Sequence, residues 1–143
     1  MKLSTRDFGV VEVEESEIVT FTGPIFGFES YRRFVFLYQE DVSEHFIWLQ
    51  SVENPDLCFI LVQPSLVMEP YEPQLPAEAQ ELLGEGDYMC WLLVSIREPF
   101  DRSTVNLKSP VVVNPALHRA AQFILDADLP LRHPLFREEE SAC

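Results

Sequence analysis

The feature that most constrains this chain is a series of short apolar runs with a period of two, cut by proline, glycine, asparagine and aspartate. Val11 and Val13 alternate with Glu12 and Glu14, the pattern of a strand with one buried and one wet face. In FVFLY at 34–38, Phe34, Phe36 and Tyr38 fall on one side, Val35 and Leu37 on the other. FIWL at 46–49, LCFILV at 57–62 and CWLLVSI at 90–96 are apolar on both faces and rich in β-branched and aromatic residues. The run at 111–113 follows Pro110, which suits a strand start. AAQFIL at 120–125 fits either a strand or a helix. Seven or eight short strands with closely spaced turns specify a mainly β protein, an antiparallel barrel or sandwich. Strands apolar on both faces require a sheet that closes or folds over, so the expectation is a small antiparallel β-barrel-like fold with one short helix.

The helix is expected at AEAQELLG, 77–84, stopped by Gly84. The stretch before it, 64–76, carries Pro64, Pro70, Pro73 and Pro76 and cannot be a central strand, so it reads as an extended excursion. At 143 residues the chain is expected to be one domain, 1–143, with a frayed acidic tail, REEESAC, at 137–143. Cys58 and Cys90 sit in apolar runs and read as small core residues, and Cys143 is terminal and expected to be exposed. Three cysteines without a CxxC pair suggest neither a disulfide framework nor a zinc knuckle. With no apolar leader at the start and no apolar run of about 18 residues, the expectation is a soluble protein of a reducing cytoplasm.

Charge is the compositional outlier. There are 10 Lys and Arg against 24 Asp and Glu, a formal net charge of −14. Direct binding to nucleic acid or to an anionic membrane is not expected, because both need clustered cations. A basic protein partner is the natural complement. From 34 to 96 there is no Lys or Arg, while Glu40, Asp41, Glu44, Glu53, Asp56, Glu69, Glu72, Glu78, Glu81, Glu85 and Asp87 all fall there. Strand cores cannot hold unpaired carboxylates, so these groups belong on the surface. They form either a solvated acidic face or an anionic patch that docks a cationic partner.

No motif for chemistry stands out. There is no GxGxxG, P-loop, HExxH or GxSxG. His45, His118 and His133 are not paired at a metal-ligand spacing, so no metal, cofactor or small-molecule substrate is expected. His45 reads as a strand-end residue and His133, before Pro134, as a loop residue. A catalytic triad assembled across the fold is a matter of geometry that spacing does not address. Asn54 before Pro55, Asn114 before Pro115 and Glu98 before Pro99 punctuate apolar runs, since proline pushes the preceding residue out of the α region. Phe26 and Phe28 flank Gly27 in an aromatic loop that either plugs a barrel end or offers a protein-binding patch.

Together these segments resemble the bacterial flagellar assembly factor family, FliW. The resemblance rests on FTGPIFGFE at 21–29, LQSVENPDLCFILVQP at 49–64, REPFDRSTVNLKSPVVVNP at 97–115, AAQFIL at 120–125 and RHPLF at 132–136. It covers nearly the whole chain, and its most specific piece, TVNLKSPVVVN, places a strand, a loop and another strand in succession. The stretch 64–88 and the tail are the least family-like parts. The resemblance implies a small, mostly β, non-enzymatic protein of the bacterial cytoplasm with two protein partners. One is flagellin before export, for which the protein acts as a chaperone. The other is CsrA, a dimeric RNA-binding regulator that represses flagellin translation and that this protein would antagonise by partner switching. The matching segment at 106–110, with Asn106, Leu107, Lys108, Ser109 and Pro110, is the expected contact surface, although Lys108 runs against a purely acidic interface there. Val112, Glu53, Asp56, Glu69 and Glu72 are further expected protein contacts, the acids for the basic regulator. An apolar groove for flagellin is expected from Phe26, Phe28, Val105, Leu107 and Val112, whose other reading is ordinary core packing. The alternatives are an acidic chaperone or adaptor for another basic protein, and an enzyme or ligand-binding barrel, which would show a deep polar pocket.

Overall fold

Eleven short strands and one helix make up the computed structural model, which describes residues 1–39 and 45–135. The strands are β1 (Lys2–Ser4), β2 (Val10–Glu12), β3 (Val19–Phe21), β4 (Arg33–Leu37), β5 (Phe46–Ser51), β6 (Cys58–Val62), β7 (Met89–Ser95), β8 (Thr104–Val105), β9 (Val111–Asn114), β10 (Arg119–Gln122) and β11 (His133–Pro134). The helix α1 (Glu78–Leu83) lies between β6 and β7. Seven strands close into a barrel in the order β7, β6, β5, β4, β3, β10, β9, with β9 returning to β7. One edge of β7 serves two partners. Its first half, Met89 to Trp91, pairs with β9, and its second half, at Val94 and Ser95, pairs with β8. β8 and β11 therefore branch outside the ring.

The barrel departs from the expected all-antiparallel pattern at one seam. β3 and β10 run parallel, with Arg119 opposite Thr20 and Ala120 opposite Phe21. Parity explains this. Strands that alternate in direction can close only in even number, so a ring of seven needs one parallel pairing.

The period-two pattern sorts side chains to the two faces of the wall. Val19, Phe21, Phe34, Ile47, Leu49, Leu61, Trp91, Val111, Val113 and Ala120 fill the interior. The outward residues are buried as well, because three separate covers lie on the barrel. The β1–β2 hairpin brings Leu3 and Val13 onto Val35 and Leu37 of β4. The excursion 64–76 and the branch strands cover Val62 and Leu92, using Val67, Met68, Tyr71, Val105, Leu107 and Leu135. Helix α1 sets Ala79 and Leu83, four residues apart on one helical face, against Val112 and Ala121. Each fully buried Leu, Val or Phe contributes about 1.5–3 kcal/mol of burial, so both faces of a strand such as β6 stabilise the fold.

The helix ends where glycine allows it. Gly84 has φ +81°, and a Cβ there would lie 2.5 Å from Leu117 Cδ1. The buried Asn114 side chain closes the same end, donating from Nδ2 to the carbonyls of Leu83 at 2.8 Å and Glu85 at 3.1 Å. As expected, 64–76 forms no strand. It holds a short 3-10 turn, Pro64–Leu66, and is tied down by the Tyr71 hydroxyl, which donates to the Leu107 carbonyl at 2.7 Å. The first half of the ambiguous run at 120–125 resolves as strand, since β10 ends at Gln122. The N–H groups of Phe123 and Leu125 then donate to the carbonyls of Pro110 and Lys108.

Candidate protein-docking faces at the two barrel ends

The sequence-predicted site residues divide between the two ends of the barrel. At the end where β3 stops and β9 starts, the loop after Phe21 folds back over the opening. Ile25 enters the core, and Phe28 packs edge-on against Phe59 with ring centroids 5.1 Å apart. Phe59 touches Phe34, and Phe34 touches Phe21, which continues the aromatic contact into the interior. Phe28 is thus partly a plug, though 38% exposed, while Phe26 is 47% exposed. Gln122 holds the loop in place. Its Oε1 accepts from the Phe26 N–H at 2.9 Å, and its Nε2 donates to the Ser109 carbonyl at 3.1 Å.

The segment at 106–110 is shaped rather than open. Asn106 Oδ1 accepts from the N–H groups of Lys108 and Ser109, each at 3.0 Å, forming a tight turn. Lys108 Nζ donates to the Ala127 carbonyl at 3.3 Å. Val105, Leu107, Pro110 and Val112 are buried. Val105 and Leu107 sit under the excursion and Val112 under α1, so none of the three lines an accessible groove. Of the residues expected in the apolar groove and contact surface, Phe26, Phe28, Asn106 and Lys108 are the accessible ones at this end. The cause is the double cover: an apolar side chain on the outer wall looks like a surface residue only until the excursion and the helix are laid over it.

Glu53 and Asp56 belong to the same end, in the turn between β5 and β6. Glu53 Oε1 accepts from the N–H groups of Arg32 at 2.8 Å and Arg33 at 3.1 Å, and these bonds lower its pKa. The buried Gln50 organises this turn, donating to the carbonyls of Ser51, Pro55 and Leu57 and accepting from the Arg6 N–H at 3.0 Å. Asp56 is exposed.

Glu69 and Glu72 lie at the opposite end. They stand exposed beside a cleft of about 500 Å³ lined also by Gln63, Pro64, Met68, Tyr71, Met89, Cys90 and Trp91. Acids rim an apolar floor here. Among the described residues the ion pairs are Arg6 with Asp7 and the chain's amino terminus with Glu12, so no acid between 53 and 87 is neutralised by an ion pair. The expected acids Glu40, Asp41 and Glu44 lie outside the described residues, as do Cys143 and the tail 137–143. A second cavity, about 370 Å³, opens at this end between Val19, Phe36, Tyr38, Ile47, Met89, Trp91, Val113 and Pro115, with Glu17 and His118 on its lining. His118 is held in the left-handed region at φ +55° in the β9–β10 turn. Met89, Trp91, Tyr38 and Glu17 are not among the sequence-predicted site residues. The available signal was Tyr38, an aromatic at the end of an alternating run, 70% exposed beyond the last residue of β4.

His45 Nδ1 lies 2.9 Å from Gln63 Oε1, and His133 sits in β11 opposite Val105. Among the described residues no three His, Cys, Asp or Glu gather closely enough to hold a metal, and no helix is long and apolar enough to cross a membrane. Burial pushes the Cys58 thiol up to about 11 and raises that of Cys90, which is half-buried at the cleft wall rather than in the core.

Comparison with known proteins gives a consistent result. The family model described as FliW protein matches residues 2–135. The flagellar assembly factor FliW of Caldanaerobacter subterraneus subsp. tengcongensis is 32% identical, over 99% of this chain and 97% of its own. That of Syntrophus aciditrophicus is 35% identical, over 98% of this chain and 90% of its own. A solved crystal structure of the flagellar assembly factor FliW superposes with a TM-score of 0.90 at 34% identity, covering 97% of this chain and 99% of that one.

Proposed function

Since the chain belongs to the FliW family of flagellar assembly factors, we propose that it acts as a partner-switching protein of the bacterial cytoplasm. It binds the RNA-binding regulator CsrA, relieving repression of flagellin synthesis, and it binds flagellin before export. Accumulating flagellin draws it away from the regulator. The reading involves association only, with no bond made or broken in either partner, no cofactor, no nucleic-acid contact and no membrane.

The observation that carries this reading is the acid-rimmed cleft at Glu69 and Glu72, on a stretch from 34 to 96 without a single Lys or Arg. A regulator that holds RNA must present basic surface. An acidic face is attracted to that surface, and its field repels the RNA phosphates beside it, so inhibition needs no overlap with the RNA site. The Debye length of about 8 Å at physiological salt lets such a field act on phosphates one or two contact layers away. The test is to add the protein to a preformed complex of the regulator and labelled flagellin messenger leader, then to add flagellin. RNA release followed by recapture is expected. No release, with no binding of regulator or flagellin by calorimetry, refutes the proposal.

A further inference from the structure

The two ends of the barrel are finished differently. One is closed from within the chain by Ile25 and Phe28, whereas at the other the core residues Val19, Ile47, Trp91 and Val113 line a cavity of about 370 Å³. That volume lies within the range of about 300–1,000 Å³ typical of sites that take a ligand or an anchoring group. Two side chains at its lip are exposed although large and apolar, Tyr38 at 70% and Met89 at 46%. Met89 and Trp91 also line the neighbouring cleft of Glu69 and Glu72, so the two hollows share the start of β7 as a common wall.

Charge at this lip has one dominant sign. Glu17 lines the cavity, and Glu14 and Glu15 stand exposed just before it on the same segment. Glu69 and Glu72 stand across the floor. Among the described residues, His118 is the one basic side chain lining either hollow. Apolar floor and acidic rims together call for an amphipathic segment that brings a large apolar side chain between cationic ones.

We infer that the barrel mouth is a docking site for a basic amphipathic helix, whose apolar anchor enters the cavity between Tyr38, Met89 and Trp91 while its Lys and Arg side chains face Glu17 on one side and Glu69 and Glu72 on the other. The inference rests on the reading of the chain as a protein-binding factor, and adds where an apolar anchor goes and what must flank it. Met89 is flexible and polarizable, so it shapes itself to the anchor.

The test uses three fluorescein-labelled peptides of about 18 residues, five helical turns. One carries Leu and Lys at amphipathic spacing, one has the same composition scrambled, and one has Leu and Glu at amphipathic spacing. The first is expected to bind the full-length protein at least about tenfold tighter than the others. Binding should shift the indole N–H signal of Trp91 and leave that of Trp48, which packs at a tilt against Phe8 on the outer wall, in place. Met89→Asp and Tyr38→Lys, both at exposed positions outside the core, are each expected to weaken binding at least about tenfold. Equal binding of the scrambled peptide overturns the anchor, and equal binding of the acidic peptide overturns the charge requirement. Self-association that Met89→Asp abolishes assigns the cavity to a second copy and also overturns the inference. Regulator and flagellin titrations run in parallel. If they succeed while no peptide binds, the inference falls and the proposed function stands; if a peptide binds but neither protein does, the reverse holds.

Discussion

The Tyr71 hydroxyl donates to the carbonyl of Leu107 at 2.7 Å. This bond fastens the proline-rich excursion to the turn at 106–110, and with it holds the wall of the Glu69 and Glu72 cleft against the barrel. Burial raises the pKa of Tyr71, so the hydroxyl stays a donor across the neutral and mildly alkaline range. Replacing Tyr71 with Phe removes the donor and leaves a buried carbonyl unpaired, at a cost of about 1–3 kcal/mol. In a chain of this size that is a fall in Tm of about 3–9 °C, readable by thermal unfolding. An unchanged Tm would mean that packing alone holds the excursion.

Asn114 makes a parallel case at the helix. Its Nδ2 serves the carbonyls of Leu83 and Glu85, and its Oδ1 accepts from the Ala116 N–H at 3.1 Å. Asn114→Ala leaves all three backbone groups without this partner and is expected to cost about 2–4 kcal/mol, with hydrogen exchange rising first at the end of α1. Asn114→Asp keeps the acceptor but turns a buried carboxylate towards the carbonyl oxygens of Leu83 and Glu85, so it should recover none of the loss.

Cys58 links stability to alkaline pH. Its folded pKa is raised from the ordinary thiol value of 9.0 to about 11 by burial. Above pH 9 the unfolded thiol ionises while the folded one does not, so the stabilisation is fully present below pH 9 and is lost as pH rises towards 11. Denaturant unfolding across this window should show a decline that Cys58→Ala reduces. At pH 7.5 an alkylating reagent should modify Cys58 in the folded protein far more slowly than in urea.

Glu53 acts at acid pH with the opposite sign. The Arg32 and Arg33 N–H groups lower its folded pKa below the ordinary 4.5. Its stabilisation is present above pH 4.5 and is lost as pH falls through the lower folded value. Glu53→Gln should therefore destabilise at pH 7 by under about 1 kcal/mol, since the group is exposed, and the difference should vanish in acid. A constant difference at both pH values would show that the carboxylate charge plays no part.

Local alternation made much of the fold legible. Phe34 and Phe36 do face the interior and Val35 and Leu37 the outer wall, as period two requires. Apolarity on both faces of 57–62 correctly required a sheet that closes. The strands β1, β3 and β11 are hidden because two or three residues display no period. Leu107 and Val112 read equally well as groove or core, and only the excursion and α1, folded over them, decide for core. The second acidic rim was hidden by summation. Glu12, Glu14, Glu15 and Glu17 share the first 33 residues with Lys2, Arg6, Arg32 and Arg33, so the net charge of that segment is small. In space, Glu17 lines the mouth at one end while the Arg32 and Arg33 backbone bonds to Glu53 at the other.

The rim of Glu69 and Glu72 is the docking face proposed for the basic regulator. It is tested most directly by calorimetric titration of CsrA from the same organism into the wild type and the Glu69→Lys, Glu72→Lys double variant, at low and high salt. The expected result is wild-type binding that weakens steeply with salt, and a variant at least about tenfold weaker at low salt with little salt dependence left. Equal affinity and equal salt dependence in the two proteins would contradict the account.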